Sequence, residues 1–444
     1  MRVAIIGAGH VGVVTAAGLA AKGHHVTCVD VDAAKIEQLR RGMPPFHEPG
    51  LGDLLRRHGA RLEATTDLRR AVAEADLSLV TVGTPVAQGE IDLTAIRAVA
   101  GQIGAALRDR PGYHVVAVKS TVLPGTTEQV VLPLLEQASG KRAGTDFGVA
   151  TNPEFLTEGE AVRDFLEPDR LVLGALDARS MTSLDELYRG FDGVERIRTN
   201  LRTAEMIKYA ANCLLATAIS FSNEIANLCS ALEGIDVAEV MHGVHGSKYL
   251  TLTARDGERR QAALTAFLWP GCGFGGSCLP KDLLALITHG ARAGQPMTLL
   301  RAVAEVNRQQ PERILALLRE HFPSLADVRV AVLGLAFRPG TSDVRASPAI
   351  PIVYRLLIEG ARVVAYDPAA RDEARRLFPD GAVQLCDDLP TAISDADAAV
   401  LVTRWDEFRG LAEALRATGR TPLLVDGRRM LEKDAYERYA GIGL

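Results

Sequence analysis

A chain of 444 residues with 47% apolar and 24% charged side chains is long enough for about three domains with their own cores, which excludes both a disordered protein and a small stapled fold. Its net charge of −5 gives no bulk attraction to nucleic acid or anionic membrane, so neither is expected as a partner, and a phosphate ligand has to be held by local groups. The six cysteines, Cys28, Cys213, Cys229, Cys272, Cys278 and Cys386, contain no CxxC pair; no disulfide framework and no metal site are expected, and a reducing cytoplasm fits best.

The chain begins directly in a strand pattern, so no export leader is expected. β-branched runs over 3–7, 25–29, 77–82, 114–119 and 147–150 alternate with helical patterns, the signature of βαβ units and a parallel sheet. Gly7-Ala8-Gly9-His10-Val11-Gly12 follows the first strand and opens a helix, the context in which GxGxxG points to a dinucleotide. Gly7 permits the turn, Gly9 lets a pyrophosphate approach the backbone, and Gly12 lets helix and strand pack. Asp30 ends the second strand, placed to accept a bond from a ribose 2′-hydroxyl and to repel a 2′-phosphate, which favours NAD over NADP.

From 202 to 233 the period becomes helical in one Ala- and Leu-rich segment without Pro. Its apolar part is interrupted by Asn212, Asn223, Glu224 and Asn227, so it reads as a buried helix and not a membrane span. Lys208 and Asn212 stand four residues apart on it, spacing that suits two donors to one oxyanion and equally an exposed Lys with a core Asn. Residues 243–266, with the charged cluster 255–260, have no clear period and are expected to include an exposed loop.

Gly273-Phe274-Gly275-Gly276-Ser277-Cys278-Leu279-Pro280-Lys281-Asp282 places a thiol after a flexible run and ahead of a Pro-started helix. There the positive helix end and Lys281 favour thiolate, and Asp282 can handle a proton; a buried, inert Cys is the alternative. A helical stretch runs on to about 320, and a strand and turn restart at 328–334. Residues 361–367 repeat the pattern of the second strand, so a second nucleotide-type domain closes the chain. The fold class expected is α/β, two Rossmann-like parallel-sheet domains joined by a central helical domain, divided as 1–200, 201–310 and 311–444.

With these blocks in order, and with Lys119-Ser120-Thr121-Val122, Asn152-Pro153-Glu154-Phe155-Leu156-Thr157-Glu158-Gly159, Gly334-Leu335-Ala336-Phe337-Arg338-Pro339-Gly340-Thr341 and Asp426-Gly427-Arg428-Arg429, the chain resembles the UDP-glucose/GDP-mannose dehydrogenase family over almost its whole length. The resemblance implies oxidation of a nucleotide sugar's primary alcohol to a carboxylate with two NAD, UDP-glucose to UDP-glucuronate being the expected case, in polysaccharide biosynthesis. It implies that Cys278 carries a thiohemiacetal and then a thioester. Glu154 would be the base for thioester hydrolysis, with Asp282 and Thr121 holding or activating water or the nucleophile, and Lys208 with Asn212 would form the oxyanion site.

On the cofactor side the resemblance implies Gly7, Gly9, His10, Val11, Gly12, Asp30, Lys35, Thr84, Thr121, Glu158, Lys281 and Arg345. On the substrate side it implies Glu154, Phe155, Leu156, Glu158, Lys208, Asn212, Trp269, Gly271, Phe274, Gly275, Phe337, Arg338 and Arg428. A homodimer or larger assembly is implied as well. One departure stands out: where the family carries an Arg that reaches the neighbouring subunit's sugar, this chain has Ala262, with Arg259 or Arg260 as upstream substitutes. Cys272 and Cys278 are expected as free thiols, a disulfide between them being the alternative. The rival readings are a two-electron dehydrogenase of the 6-phosphogluconate or 3-hydroxyacid type, which needs neither Cys278 nor a second nucleotide domain, and a non-catalytic nucleotide-binding protein.

Overall fold

The computed structural model describes the chain except for Gln88, Arg255, Asp256 and Asp380. It divides into two compact units, 1–211 and 212–444. The first is built on eight strands: β1 (Arg2–Ile6), β2 (His25–Val29), β3 (Leu62–Thr65), β4 (Leu77–Val80), β5 (Val115–Val118), β6 (Gly148–Thr151), β7 (Arg170–Ala175) and β8 (Glu195–Thr199). They lie in the order β8-β7-β6-β5-β4-β1-β2-β3, all parallel except the β6–β7 pair. Alternate residues of one strand feed two cores: Val3 and Ile5 pack on one face with α1 (His10–Ala21), Ala4 and Ile6 on the other. A sheet covered on both faces needs strands that are apolar throughout, as β4 and β5 are.

The sequence reading omits β3, β7 and β8. β3 and β8 are the two sheet edges, and their Glu63, Glu195, Arg196 and Arg198 break the apolar run that marks an inner strand; charged edges resist pairing with other chains. β7 is the short run Arg-Leu-Val-Leu-Gly-Ala after Glu-Pro-Asp.

The second unit holds a six-stranded parallel sheet of β9 (Arg329–Leu333), β10 (Arg362–Tyr366), β11 (Val383–Leu385), β12 (Ala398–Leu401), β13 (Leu423–Asp426) and β14 (Tyr439–Gly441), ordered β11-β10-β9-β12-β13-β14. Its helices include α2 (Leu201–Cys229), within which the division between units falls, α3 (Val237–His245), α4 (Leu279–Arg292) and α5 (Thr298–His321). Two Rossmann-like parallel sheets with a central helical region are therefore present, as the sequence led us to expect.

Two stretches are resolved further. The helical stretch expected from 280 to about 320 consists of two helices, because Gly294 (φ +76°) and Met297 (φ +48°) hold left-handed backbone that no helix continues through. The irregular region 243–266, expected to include an exposed loop, contains the end of α3 and an antiparallel hairpin, Thr251–Thr253 with Arg259–Gln261. Strands of three residues exposed on both faces carry no alternation to read. Arg255 and Asp256, part of that expectation, lie outside the described residues. No helix among the described residues is long and apolar enough to cross a membrane.

Candidate active site

In the first unit the glycine turn behaves as its spacing predicts. A Cβ on Gly7 (φ +115°) would lie 3.0 Å from the Thr81 main chain, and one on Gly12 would lie 1.8 Å from the Gly7 carbonyl, so both positions exclude any side chain. A Cβ on Gly9 would meet nothing within 4 Å: that glycine leaves the approach to the N-terminus of α1 open, and the first turn carries no acidic residue. His10 and Val11 open the helix. Asp30 accepts the Ala8 N–H at 2.6 Å and the Asp32 N–H at 2.9 Å, which fixes a partly exposed carboxylate with lone pairs to spare. These groups fit NAD, whose pyrophosphate would meet the helix end and whose adenosine ribose would meet Asp30. Lys35 stands 4.0 Å from Asp32. Thr84 donates to the Thr121 carbonyl at 2.7 Å and so steadies that residue.

Glu48, to which the sequence reading gave no role, ties this loop to the next. Its buried carboxylate meets His10 Nε2 at 2.7 Å and accepts the N–H groups of Gly159 and Ala161, each at 2.9 Å. Burial pushes its pKa up, but His10 and the two N–H groups outweigh burial and leave it below the usual carboxylate range. A carboxylate amid the Pro- and Gly-rich 44–50 segment offers no sequence signal beyond its neighbours.

Glu154 is buried, against the surface position that Asn152-Pro153 alone would allow. Its Oε1 lies 3.0 Å from Lys208 Nζ and its Oε2 accepts the Leu156 N–H at 2.6 Å. Burial alone would raise its pKa, yet Lys208, the Leu156 N–H and Lys119 bring it below the ordinary value. Phe155 lies beneath Arg170, 4.1 Å from ring centre to guanidinium, with Lys208 Nζ at 5.4 Å. Asn152 is a buried hub: it donates to the Val172 carbonyl and accepts from Lys119 and from the Tyr188 hydroxyl. Glu158 is half-buried in the loop that Glu48 holds.

In the second unit Cys278 is the N-cap of α4, with Pro280 in the first turn. Of the six thiols it alone is not buried, and none of the six is in a disulfide. Burial drives the Cys28 and Cys213 thiols up to about 12 and raises those of Cys229, Cys272 and Cys386, so those five are poor nucleophiles at neutral pH. Below the cap, fully buried Asp282 accepts the Asn212 side-chain N–H at 2.6 Å, lies 2.7 Å from Lys281 Nζ, and donates its own main-chain N–H to the Cys278 carbonyl at 2.8 Å. That bond uses one of the two Asn212 amide hydrogens.

The loop before Cys278 is held by side chains from elsewhere in the unit. Asn223 accepts the Gly271 N–H at 2.7 Å, and Asn307 accepts the Phe274 N–H at 2.8 Å while donating to its carbonyl at 3.1 Å. Asn223 and Asn307 were invisible as site residues, because a helical Asn in an Ala- or Arg-rich context reads as a surface group or a core exception. Gly275 is pressed against the Ala346 carbonyl, and a Cβ on Gly276 would strike the Phe337 ring at 2.7 Å. Arg428 donates to the Val402 carbonyl and, at 3.0 Å, to that of Gly273; Trp269 donates to the Arg428 carbonyl at 3.1 Å. Arg345 makes a bidentate pair with Asp343. Arg338, next to Phe337 in sequence, is half-buried. The exposed Arg259 bonds Thr251 and the Gly246 carbonyl, and Arg260 pairs with Glu258.

The second sheet repeats the first with one difference. Asp367, at the place of Asp30, is buried and accepts five N–H groups, from Leu335, Ala336, Ala369, Ala370 and the Trp405 ring. No group of at least three His, Cys, Asp or Glu suited to a metal occurs among the described residues.

Models of the UDP-glucose/GDP-mannose dehydrogenase family match three consecutive stretches: its NAD binding domain over 1–192, its central domain over 202–309 and its UDP binding domain over 331–433. The chain belongs to this family. It is similar to a UDP-glucose 6-dehydrogenase of Haloferax volcanii, 44% identical over 98% of each chain, and to a GDP-mannose 6-dehydrogenase of Pseudomonas putida, 40% identical over 93% of each. The structure of a UDP-glucose dehydrogenase from Pyrobaculum islandicum superposes with a TM-score of 0.91 at 37% identity, covering all of this chain and 97% of the other. As a member of the family the chain is an NAD-dependent nucleotide-sugar 6-dehydrogenase, which displaces the two-electron and non-catalytic readings.

Proposed function

We propose that this dehydrogenase oxidises UDP-glucose to UDP-glucuronate through a thioester on Cys278. The observation that carries the reading is that Cys278, alone among six thiols, is partly exposed at a helix N-terminus while the others are buried and hard to ionise. Held by the Gly7–Gly12 turn and Asp30, NAD would supply the hydride acceptor in each of two rounds. In the first, the alcohol passes its proton to bound water, the alkoxide is stabilised by Lys208 and Asn212, and loss of a hydride from C6 leaves an aldehyde. The Cys278 thiolate then adds to the aldehyde carbon, and the resulting thiohemiacetal, protonated at oxygen, loses the second hydride and that proton to give a thioester. Glu154, held ionised, takes a proton from water as it attacks the thioester; the carboxylate leaves and the thiolate returns. Asp282 orients Asn212 and Lys281, and Thr121 holds water or the sugar.

Gly7, Gly9, His10, Val11, Gly12, Asp30, Lys35, Thr84, Glu158, Lys281 and Arg345 serve NAD in this reading. Phe155, Leu156, Trp269, Gly271, Phe274, Gly275, Phe337, Arg338 and Arg428 serve the nucleotide sugar. Residues 1–200 bind NAD, 201–310 carry the helical dimerisation region, and 311–444 bind the sugar nucleotide. The identity to a protein named UDP-glucose 6-dehydrogenase favours that sugar, and six cysteines without a disulfide suit a reducing cytoplasm. Homodimerisation is supported by a stripe on α2, Leu214, Phe221 and Leu228, seven residues apart and each about half exposed.

The test is the number of NADH formed per sugar consumed, with excess NAD and UDP-glucose and the product identified by mass. Two NADH and a uronate are expected, and Cys278→Ser is expected to stall before the carboxylate. One NADH with an aldehyde product overturns the thioester route; turnover only with GDP-mannose or another nucleotide sugar overturns the substrate.

A further inference from the structure

Lys119 is a fully buried ammonium at the end of β5 that the reaction above does not use. Its hydrogen bonds go to a neutral partner, Asn152, at 3.0 Å to Oδ1 and 3.5 Å to the main-chain carbonyl, and among the described residues it makes no ion pair. Asn152 is in turn pinned by three groups: its N–H donates to the Val118 carbonyl at 2.8 Å, its Nδ2 to the Val172 carbonyl at 3.0 Å, and its Oδ1 accepts the hydroxyl of buried Tyr188. Two residues on stands Glu154, already paired with Lys208. The pocket in the protein interior thus contains two lysines and one carboxylate.

A buried cation without a carboxylate of its own is expensive, and its persistence calls for a charge that benefits from it. We propose that Lys119 is a positioning residue whose charge, held against Asn152, keeps Glu154 ionised while Lys208 turns to the substrate oxygen. Glu154 cannot depend on Lys208 alone, because an ammonium that shares its field with a forming alkoxide shields the carboxylate less. Burial lowers Lys119 to about 8, Glu154 pulling it up and Lys208 pushing it down, so it is charged through neutral pH. The charged and titratable groups around the pair are Lys208 on α2, Tyr188 after the preceding helix, and Arg170 on β7, which lies over Phe155 and is paired with Asp169 at 2.5 Å. Of these only Lys119 and Lys208 are among the influences that lower Glu154.

The test follows the Glu154 carboxylate directly by infrared difference titration against Glu154→Gln, in wild-type protein and in Lys119→Met, Asn152→Asp and Tyr188→Phe. Lys119→Met removes the charge, and Asn152→Asp neutralises it in place, so the proposal survives a variant that fails to fold. Both are expected to raise the Glu154 titration by about one unit, while Tyr188→Phe, which alters the hub without altering charge, leaves it unmoved. A carboxylate that titrates at the wild-type position in both charge variants overturns the proposal. The acid limb of kcat is read in parallel and rests on Glu154 being the hydrolytic base: a shifted carboxylate with an unshifted acid limb upholds the role of Lys119 and removes Glu154 from the base position.

Discussion

Gly9 and Gly12 are two glycines of one motif with opposite reasons to be glycine. The space at Gly9 is open, so Gly9→Ala is expected to unfold at the wild-type urea midpoint and to bind NAD at least tenfold more weakly, because the methyl group stands where the pyrophosphate must approach. Gly12→Ala puts a carbon 1.8 Å from the Gly7 carbonyl and is expected to lose stability by about 1–3 kcal/mol, the usual cost of overpacking. Urea denaturation together with NAD titration by fluorescence separates the two. Residue-scale chemistry was legible where a residue's role is written in its neighbours, as for Gly7 in its turn and Gly12 in its helix–strand packing. It was illegible at Glu48, Asn223 and Asn307, whose work is to accept main-chain N–H groups far away in sequence; no local pattern announces a partner 111 residues distant, as Gly159 is from Glu48.

At the scale of elements, β1, β2, β4, β5 and β6 could be read from their apolar runs and the long helix from its Ala- and Leu-rich period without Pro, while the edge strands β3 and β8 and the hairpin could not because exposure removes the pattern. α2 shows both sides of that rule. Its buried residues gave the helix, but the exposed Leu214, Phe221 and Leu228 fall on a seven-residue repeat that periodicity alone merges with the core face. Substituting Glu at Phe221 or Leu228 is expected to halve the molar mass measured by light scattering at micromolar concentration, with α2 still folded by circular dichroism. A mass unchanged by either substitution would place the assembly surface elsewhere.

For the molecule as a whole, acid stability turns on groups buried in their unfavoured states. His114 is buried between Ser78, 2.9 Å from Nε2, and the Ala75 carbonyl, 3.1 Å from Nδ1, and burial with Arg110 nearby lowers it to about 3. Its folded pKa lies below its unfolded value of 6.5, so between those values the unfolded chain binds a proton that the fold refuses. Stability is therefore complete above 6.5 and falls as pH drops toward 3. His114→Gln is expected to flatten up to one proton of that slope in urea titrations between pH 6.5 and 4.5, leaving the steeper loss below 4.5 that comes from Glu48 and Glu154, both held below the ordinary carboxylate value.

Asp367, saturated by five N–H groups, is an internal rivet at the place where the first sheet has the partly exposed Asp30. A protein that handles two diphosphate-containing nucleotides at once faces a sorting problem, since each resembles half of the other. Only the first sheet therefore keeps a strand-end carboxylate with lone pairs to spare, so the two otherwise similar sheets present different chemistry at the same place.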